Sequence, residues 1–162
     1  MNSISFNPHD ELDAVTKDPF SAYALQLGMS ASDFEKSFDK TPWERVPQST
    51  EVFEFSRDTG NEISQSVLVA LHDDKVDSFS VSFKGENVDD IDQLFKSAFD
   101  NLAYVLGERP TLEYSEFEHA QTRTWALEEG QVLQLKYGKV NDGKPGKSPL
   151  YVSIIRSFEY DE

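Results

Sequence analysis

Residues 91–106, IDQLFKSAFDNLAYVL, are the stretch that decides how the rest of the chain must be arranged. Apolar side chains recur there three and four residues apart and form one broad stripe, which is typical of an amphipathic α-helix. The members of the stripe are Ile91, Leu94, Phe95, Ala98, Phe99, Leu102, Val105 and Leu106. We expect Asp89 or Asp90 to cap the first turn and Gly107 to end the helix. Such a helix must bury its stripe against another element.

Segments on both sides of this helix alternate between apolar and polar residues, which indicates strands with one buried face. The predicted strands cover residues 50–57, 63–71, 76–84, 122–127, 133–137 and 150–158. The last of them is apolar on both sides and is therefore expected near the centre of a sheet. A shorter helix is predicted within GMSASDFEKSFDKTPW, where Ser30 is a good N-cap.

The order of these elements indicates a duplicated unit, because each half contains a helix followed by three strands. The motif DKTP at residues 39–42 matches GERP at residues 107–110, although chance similarity of two α+β stretches is the alternative explanation. We predict an α+β fold with an antiparallel sheet of about six strands from two α-β-β-β repeats, and helices on one face. The predicted single domain spans residues 1–162, with a lead-in at 1–20, a first repeat at 21–85 and a second at 86–162.

Charge is the most distinctive feature of the composition, since 30 acidic residues against 15 basic ones give a formal net charge of −15. Such a field repels nucleic acid and anionic membranes and attracts basic proteins, although an acidic surface also serves solubility alone. The chain has no cysteine, no apolar run of the roughly 20 residues that a membrane span needs, and no secretory signal pattern. We expect a soluble, cytoplasmic protein.

The sequence contains none of the common catalytic or nucleotide-binding motifs. Its three histidines, His9, His72 and His119, are scattered along the chain without the spacing of metal ligands. We therefore predict a protein that is not an enzyme and that holds no cofactor and no metal. A deep pocket containing His72 or His119 would instead favour an enzyme with an unrecognised site.

A set of small polar side chains forms the candidate binding surface. Serines alternate with apolar residues in the predicted strands and are expected on the outer face of the sheet, where another protein can approach closely. Acidic residues nearby would steer a basic partner towards them. Solvated sheet faces are also commonly rich in serine, so the pattern has a purely structural explanation as well. The predicted partner-binding residues are Glu54, Ser64, Ser66, Ser78, Ser80, Ser82, Asp73, Asp74, Glu128 and Glu129.

The helix-and-meander plan, with GMSASDFEKSFDKTPW at residues 28–43, resembles two groups of proteins over residues 28–158. One is the β-lactamase inhibitor proteins, whose repeats form an open concave sheet that grips an enzyme; their disulfides have no counterpart in this cysteine-free chain. The other is the small acidic immunity proteins that neutralise toxins of bacterial competition systems. The segments LGERPTLEY, TRTWALEEGQVLQLKYG and PLYVSIIRS resemble members of this second group.

The resemblance implies a bacterial inhibitor that binds by surface complementarity and catalyses nothing. We therefore predict an immunity or inhibitor protein whose partner is a cognate protein toxin or effector of basic charge. Nucleic acid and membrane are not expected as partners, and the chain is expected to be a monomer or a homodimer. The alternative is an acidic secretion chaperone for a bacterial effector, which should be a stable dimer that binds an unfolded segment.

Overall fold

The computed structural model describes residues 7–19, 22–40, 43–46, 50–59, 62–116, 119–140 and 149–158. These ranges contain three α-helices and eight strands. In chain order they are α1 Pro8–Thr16, α2 Ala31–Ser37, β1 Glu44–Val46, β2 Val52–Asp58, β3 Ser64–His72, β4 Lys75–Gly85, α3 Val88–Leu106, β5 Thr111–Ser115, β6 Ala120–Ala126, β7 Gln131–Lys139 and β8 Leu150–Phe158. Short 3-10 turns lie at Ala22–Ala24 and Glu128–Gly130.

All eight strands belong to one antiparallel sheet, in the order β1-β2-β3-β4-β8-β7-β6-β5. The order is symmetric, because each half of the chain forms a four-stranded meander and the two meanders meet where β4 pairs with β8. Strand β8 is paired on both sides, as the two-sided apolarity of residues 150–158 predicts.

The prediction of about six strands in two α-β-β-β repeats is wrong, because each half contains a fourth strand. Strand β1 has three residues, too few for an alternating pattern to be visible in the sequence. Strand β5 lies within LGERPTLEY, and its apolar residues Leu112 and Tyr114 are 61% and 65% exposed. Both missed strands lie at the edges of the sheet, where pairing with one neighbour, and not burial, holds the strand in place.

Helix α3 covers the middle of the sheet and contacts β4, β7 and β8. Its fully buried residues are Ile91, Leu94, Ala98 and Leu102. The N-cap is Asn87 and neither Asp89 nor Asp90, because the Asn87 side-chain oxygen accepts a hydrogen bond from the Asp90 backbone N–H at 3.1 Å. The helix ends as predicted at Gly107, whose φ of +118° suits glycine. No helix in the described part of the chain is long and apolar enough to cross a membrane.

Helix α2 covers the outer part of the first half. The ring of Phe34 lies 5.8 Å from that of Phe53 and 6.3 Å from that of Phe55, measured between centroids. The predicted cap is confirmed, since Ser30 Oγ accepts a hydrogen bond from the Asp33 backbone N–H at 3.0 Å. The short helix therefore brings its aromatic side chain down onto β2.

Helix α1, within the predicted lead-in, packs beside α3. The Asn101 side-chain amide donates to Asp13 Oδ1 and to Thr16 Oγ1, each at 2.9 Å. Thr16 is fully buried, and its hydroxyl also donates to the backbone carbonyl of Leu12 at 2.8 Å. These contacts hold α1 on the same side of the sheet as α3.

The packing gives the sheet two different faces. Side chains such as Phe79 and Val81 of β4 point towards the helices and belong to the core, on what we term the helix face. Residues between them, such as Ser80, point to the opposite side, which we term the open face. None of the helices in the described ranges covers the open face.

Candidate protein-binding surface

The register of four neighbouring strands aligns four serines across the open face. In order along β2, β3, β4 and β8 they are Ser56, Ser66, Ser82 and Ser153, which we term the serine row. The hydroxyl oxygens of Ser82 and Ser153 are 2.7 Å apart and share a hydrogen bond. Glu44 of β1 continues the row at one end, and Lys136 of β7 continues it at the other. The centre of the open face therefore carries small hydroxyl side chains between charged ones.

The serine row lies in a shallow depression of about 430 Å³. Three acidic residues, Glu44, Glu54 and Asp58, line it on the side of β1 and β2. Lys84 of β4 also lines it. Because the floor is made of serines, the backbone or a long side chain of another protein can come close to the sheet there.

Six of the predicted partner-binding residues share the open face. They are Glu54, Ser64, Ser66, Ser78, Ser80 and Ser82. Ser66 and Ser82 belong to the serine row itself, whereas Ser80 lies in the neighbouring row between Leu68 and Ile155. The alternation in the sequence therefore places these six side chains on one surface. The row also contains Ser56 and Ser153, which are not among the predicted partner-binding residues.

The other four predicted residues lie in hairpin turns at one end of the sheet. They are Asp73, Asp74, Glu128 and Glu129. The first pair joins β3 to β4 and the second pair lies between β6 and β7. Both turns lie at the same end of the sheet. Strands β4 and β7 both run antiparallel to β8, and Ser78 and Val132, near the starts of these two strands, both pair with Ser157 of β8. The structure thus separates the acidic turns from the serine row.

None of the three histidines lies in the serine row. A serine nucleophile needs a general base beside it. The histidines lie elsewhere, with His9 on α1, His119 just before β6, and His72 at the end of β3. His72 Nε2 is 3.6 Å from Asp73 Oδ2, but these side chains are 76% and 90% exposed. Among the described residues, no group of three or more histidine, aspartate or glutamate side chains is arranged to hold a metal ion.

A buried polar cluster on the helix face was not predicted, and we term it the Tyr23 network. Gln65 is fully buried; its Nε2 donates to Tyr23 Oη at 2.8 Å, and its Oε1 accepts from Arg57 Nε at 3.0 Å. Tyr23 Oη in turn donates to Glu11 Oε2 at 2.6 Å. Arg57 Nη2 lies 2.7 Å from the same carboxylate oxygen, and the guanidinium lies 3.9 Å from the ring centroid of Trp43. These bonds connect α1 to β2 and β3.

The Tyr23 network is structural, because its members satisfy one another. Burial, and then the hydrogen bond to Glu11, raise the pKa of Tyr23 above its ordinary value. The phenol therefore stays neutral and acts as a hydrogen-bond donor. One signal in the sequence could have revealed the network: Gln65 occupies a core-facing position in the alternation that continues with Val67 and Val69.

Comparison with known proteins adds no assignment to these surfaces. No family model, no curated protein and no solved structure matches the chain. The candidate surface is therefore defined by the geometry and charge of this chain alone.

Proposed function

We propose that this protein is an immunity or inhibitor protein that binds and neutralises a cognate bacterial toxin through its open face. The observation that carries the proposal is the serine row, four hydroxyl side chains in register on a face that no helix of the described ranges covers. Antiparallel sheets often expose one face to water, but hydroxyls on that face also offer donors and acceptors to a partner. Ser56, Ser66 and Ser82 are partly exposed, whereas Ser153 is buried and bonded to Ser82.

The charge distribution supports a basic partner. The chain carries a formal net charge of −15, and Glu44, Glu54 and Asp58 lie beside the serine row. Carboxylates around an interface mainly raise the association rate and exclude partners of the wrong sign. The serines then make neutral hydrogen bonds, which avoid the cost of burying an ion pair.

The dimensions of the open face suit a specific complex. Eight strands at ~4.8 Å spacing extend roughly 34 Å across the sheet, and strands of about seven residues extend roughly 23 Å. The corresponding area is close to the roughly 800 Å² that each partner contributes to a standard interface. The open face can therefore hold a folded toxin domain without help from the helices.

The test is co-expression with the products of the neighbouring genes in a bacterial host. We expect one of them to stop growth when expressed alone, to be tolerated together with this protein, and to form a one-to-one complex when purified. A neighbouring toxin that this protein neither binds nor neutralises would overturn the proposal. A stable dimer that binds only the unfolded partner would instead support the secretion chaperone.

Variants then locate the contact surface. The double substitution S66R/S82R places two long cations on the serine row and should weaken the complex by about 100-fold or more, as the loss of interface hot spots does. The matched control Q93R/Y104R adds the same charge on the exposed side of α3, and should leave affinity within about threefold. Circular dichroism confirms that both variants remain folded. Equal losses in the two variants would place the contact elsewhere.

A further inference from the structure

The two edges of the sheet are protected to different degrees. An edge strand presents unpaired N–H and C=O groups, and proteins usually protect such edges by making the strand short, charged or covered. Strand β1 has three residues, whereas β5 has five. In the described part of the chain β5 pairs with β6 alone, and no described strand lies on its outer side.

The helix-face side of β5 is apolar and exposed. Leu112 and Tyr114 point to this side and are 61% and 65% exposed. Helix α3 does not cover them, because the guanidinium of Arg123 lies between, 4.8 Å from the ring centroid of Phe95 and 5.0 Å from that of Phe99. The two β5 side chains are therefore left beside the core and not within it.

An open depression of about 440 Å³ continues this apolar surface past Tyr114. Val88, Tyr137 and Leu150 contribute apolar side chains to it, and His119 lies at its wall. An apolar side chain on a strand added to β5 can therefore pack against Leu112 or Tyr114.

Charge decides which kind of strand fits. Glu113 lies between Leu112 and Tyr114, is exposed, and forms no ion pair with any described residue. Glu108 and Glu116 are exposed near the two ends of β5. Symmetric pairing of two copies about Glu113 would bring two carboxylates together, between molecules that each carry a net charge of −15. A second copy is thus disfavoured, whereas a basic segment is favoured.

We propose that β5 is a docking strand for an extended peptide segment in which apolar and basic residues alternate. The segment pairs with the backbone of β5 as a ninth strand, its apolar residues pack on Leu112 and Tyr114, and a lysine or arginine lies opposite Glu113. Main-chain hydrogen bonds supply affinity, and the alternation supplies selectivity. Strands β7 and β6 separate this site from the serine row, so it does not depend on the proposed inhibitor function.

The test uses two synthetic peptides of eight residues, one alternating valine with lysine and the other alternating valine with glutamate. Fluorescence anisotropy measures their affinity for the full chain, and hydrogen exchange locates the contact. We expect the lysine peptide to bind more tightly, and the amides of residues 111–115 to gain protection on binding. Binding without that protection would overturn the proposal, since it would show attraction to the acidic surface in general.

Two charge-reversal substitutions distinguish pairing of the peptide with β5 from attraction to the acidic surface in general. E113K should lower the preference for the lysine peptide by about fivefold, which corresponds to one cross-strand charge pair. D100K makes the same change of charge at an exposed position of α3, away from both proposed binding surfaces, and should leave the preference unchanged apart from a small effect of net charge. Equal effects of E113K and D100K would overturn the assignment to β5.

A further variant tests the apolar contacts between the peptide and β5. The double substitution L112S/Y114S changes two exposed side chains, so the fold should persist, while affinity for the lysine peptide should fall by about tenfold or more. Unchanged affinity would show that these side chains do not contact the peptide. A wild-type dimer in solution that L112S/Y114S converts to a monomer would overturn the proposal in favour of a second copy at this edge.

Discussion

The two halves of the sheet have the same order of strands but different cover on the helix face. In the first half, Phe34 of α2 is 0% exposed and packs against Phe53 and Phe55 of β2. In the second half, the outermost strand leaves Leu112 and Tyr114 largely exposed. Strand β2, next to one edge of the sheet, is thus part of the core, whereas β5, at the other edge, is a surface.

The difference follows from the lengths of the two helices. Helix α2 has seven residues and packs on β2 of its own half, whereas α3 has 19 and needs the broad centre of the sheet to bury its stripe. Helix α1 occupies the space beside α3. A repeated element order therefore does not guarantee repeated packing, and the unequal cover creates the exposed edge.

The largest expected difference between the halves is in core stability. Phe34→Ala removes a buried ring and should lower the free energy of unfolding by about 3–5 kcal/mol. Leu112→Ala removes a mostly exposed side chain and should cost less than about 1 kcal/mol. Urea denaturation followed by circular dichroism measures both. Similar costs would mean that the outer edge of the second half is covered after all.

The next effect concerns the Tyr23 network, which exists only in the first half. Gln65→Met removes the amide that bonds to Tyr23 and Arg57, and should lower the free energy of unfolding by about 1–3 kcal/mol. Gln134→Met is the control, because Gln134 is only partly buried and its amide lies 3.3 Å from Thr124 Oγ1. The control should change stability by no more than about 0.5 kcal/mol. Equal losses of unfolding free energy in the two variants would show that the Tyr23 network adds no stability of its own.

Alkaline pH should act on the same network. The pKa of Tyr23 is raised in the folded protein, so folding favours the neutral phenol. The resulting stability is complete below the ordinary tyrosine pKa of about 10, and it is lost as pH rises from there towards the raised value, by at most about 1.4 kcal/mol per pH unit. Between pH 9 and 11, the free energy of unfolding should fall more steeply for the wild type than for Tyr23→Phe. Parallel curves would contradict the assignment.

The smallest effect is expected in the second half, at the contact between Arg123 and two rings of α3. Arg123→Met should lower the free energy of unfolding by about 0.5–1 kcal/mol, since the guanidinium lies over Phe95 and Phe99 at a partly exposed site. Lys96→Met is the control, because it also removes one positive charge, from an exposed ion pair with Asp92. It should lower the free energy of unfolding by less than Arg123→Met does. Thermal melts of the two variants compare them. A larger loss for Lys96→Met would contradict the role given to Arg123.

Prediction succeeded where a segment carries its own pattern. Helix α3 and six strands follow from periodicity, because each buries one stripe or one face. Strands β1 and β5 escaped prediction, since one is too short to alternate and the other keeps its apolar side chains exposed. The serines of the open face were predicted from alternation in single strands, but Ser153 joins them only through the pairing of β4 with β8.

The sequence by itself determined the α+β character, the long central helix, the strongly acidic charge and the side of each strand on which serines lie, because these depend on composition and on periods of two and 3.6 residues. Tertiary structure alone decided which serines share a row, which groups bond to Gln65 in the core, and that among the described strands β5 pairs with β6 alone. Those features depend on the register and packing of segments far apart in the chain. The local alternation places Gln65 on the core side of its strand, but it does not give the partners of its amide.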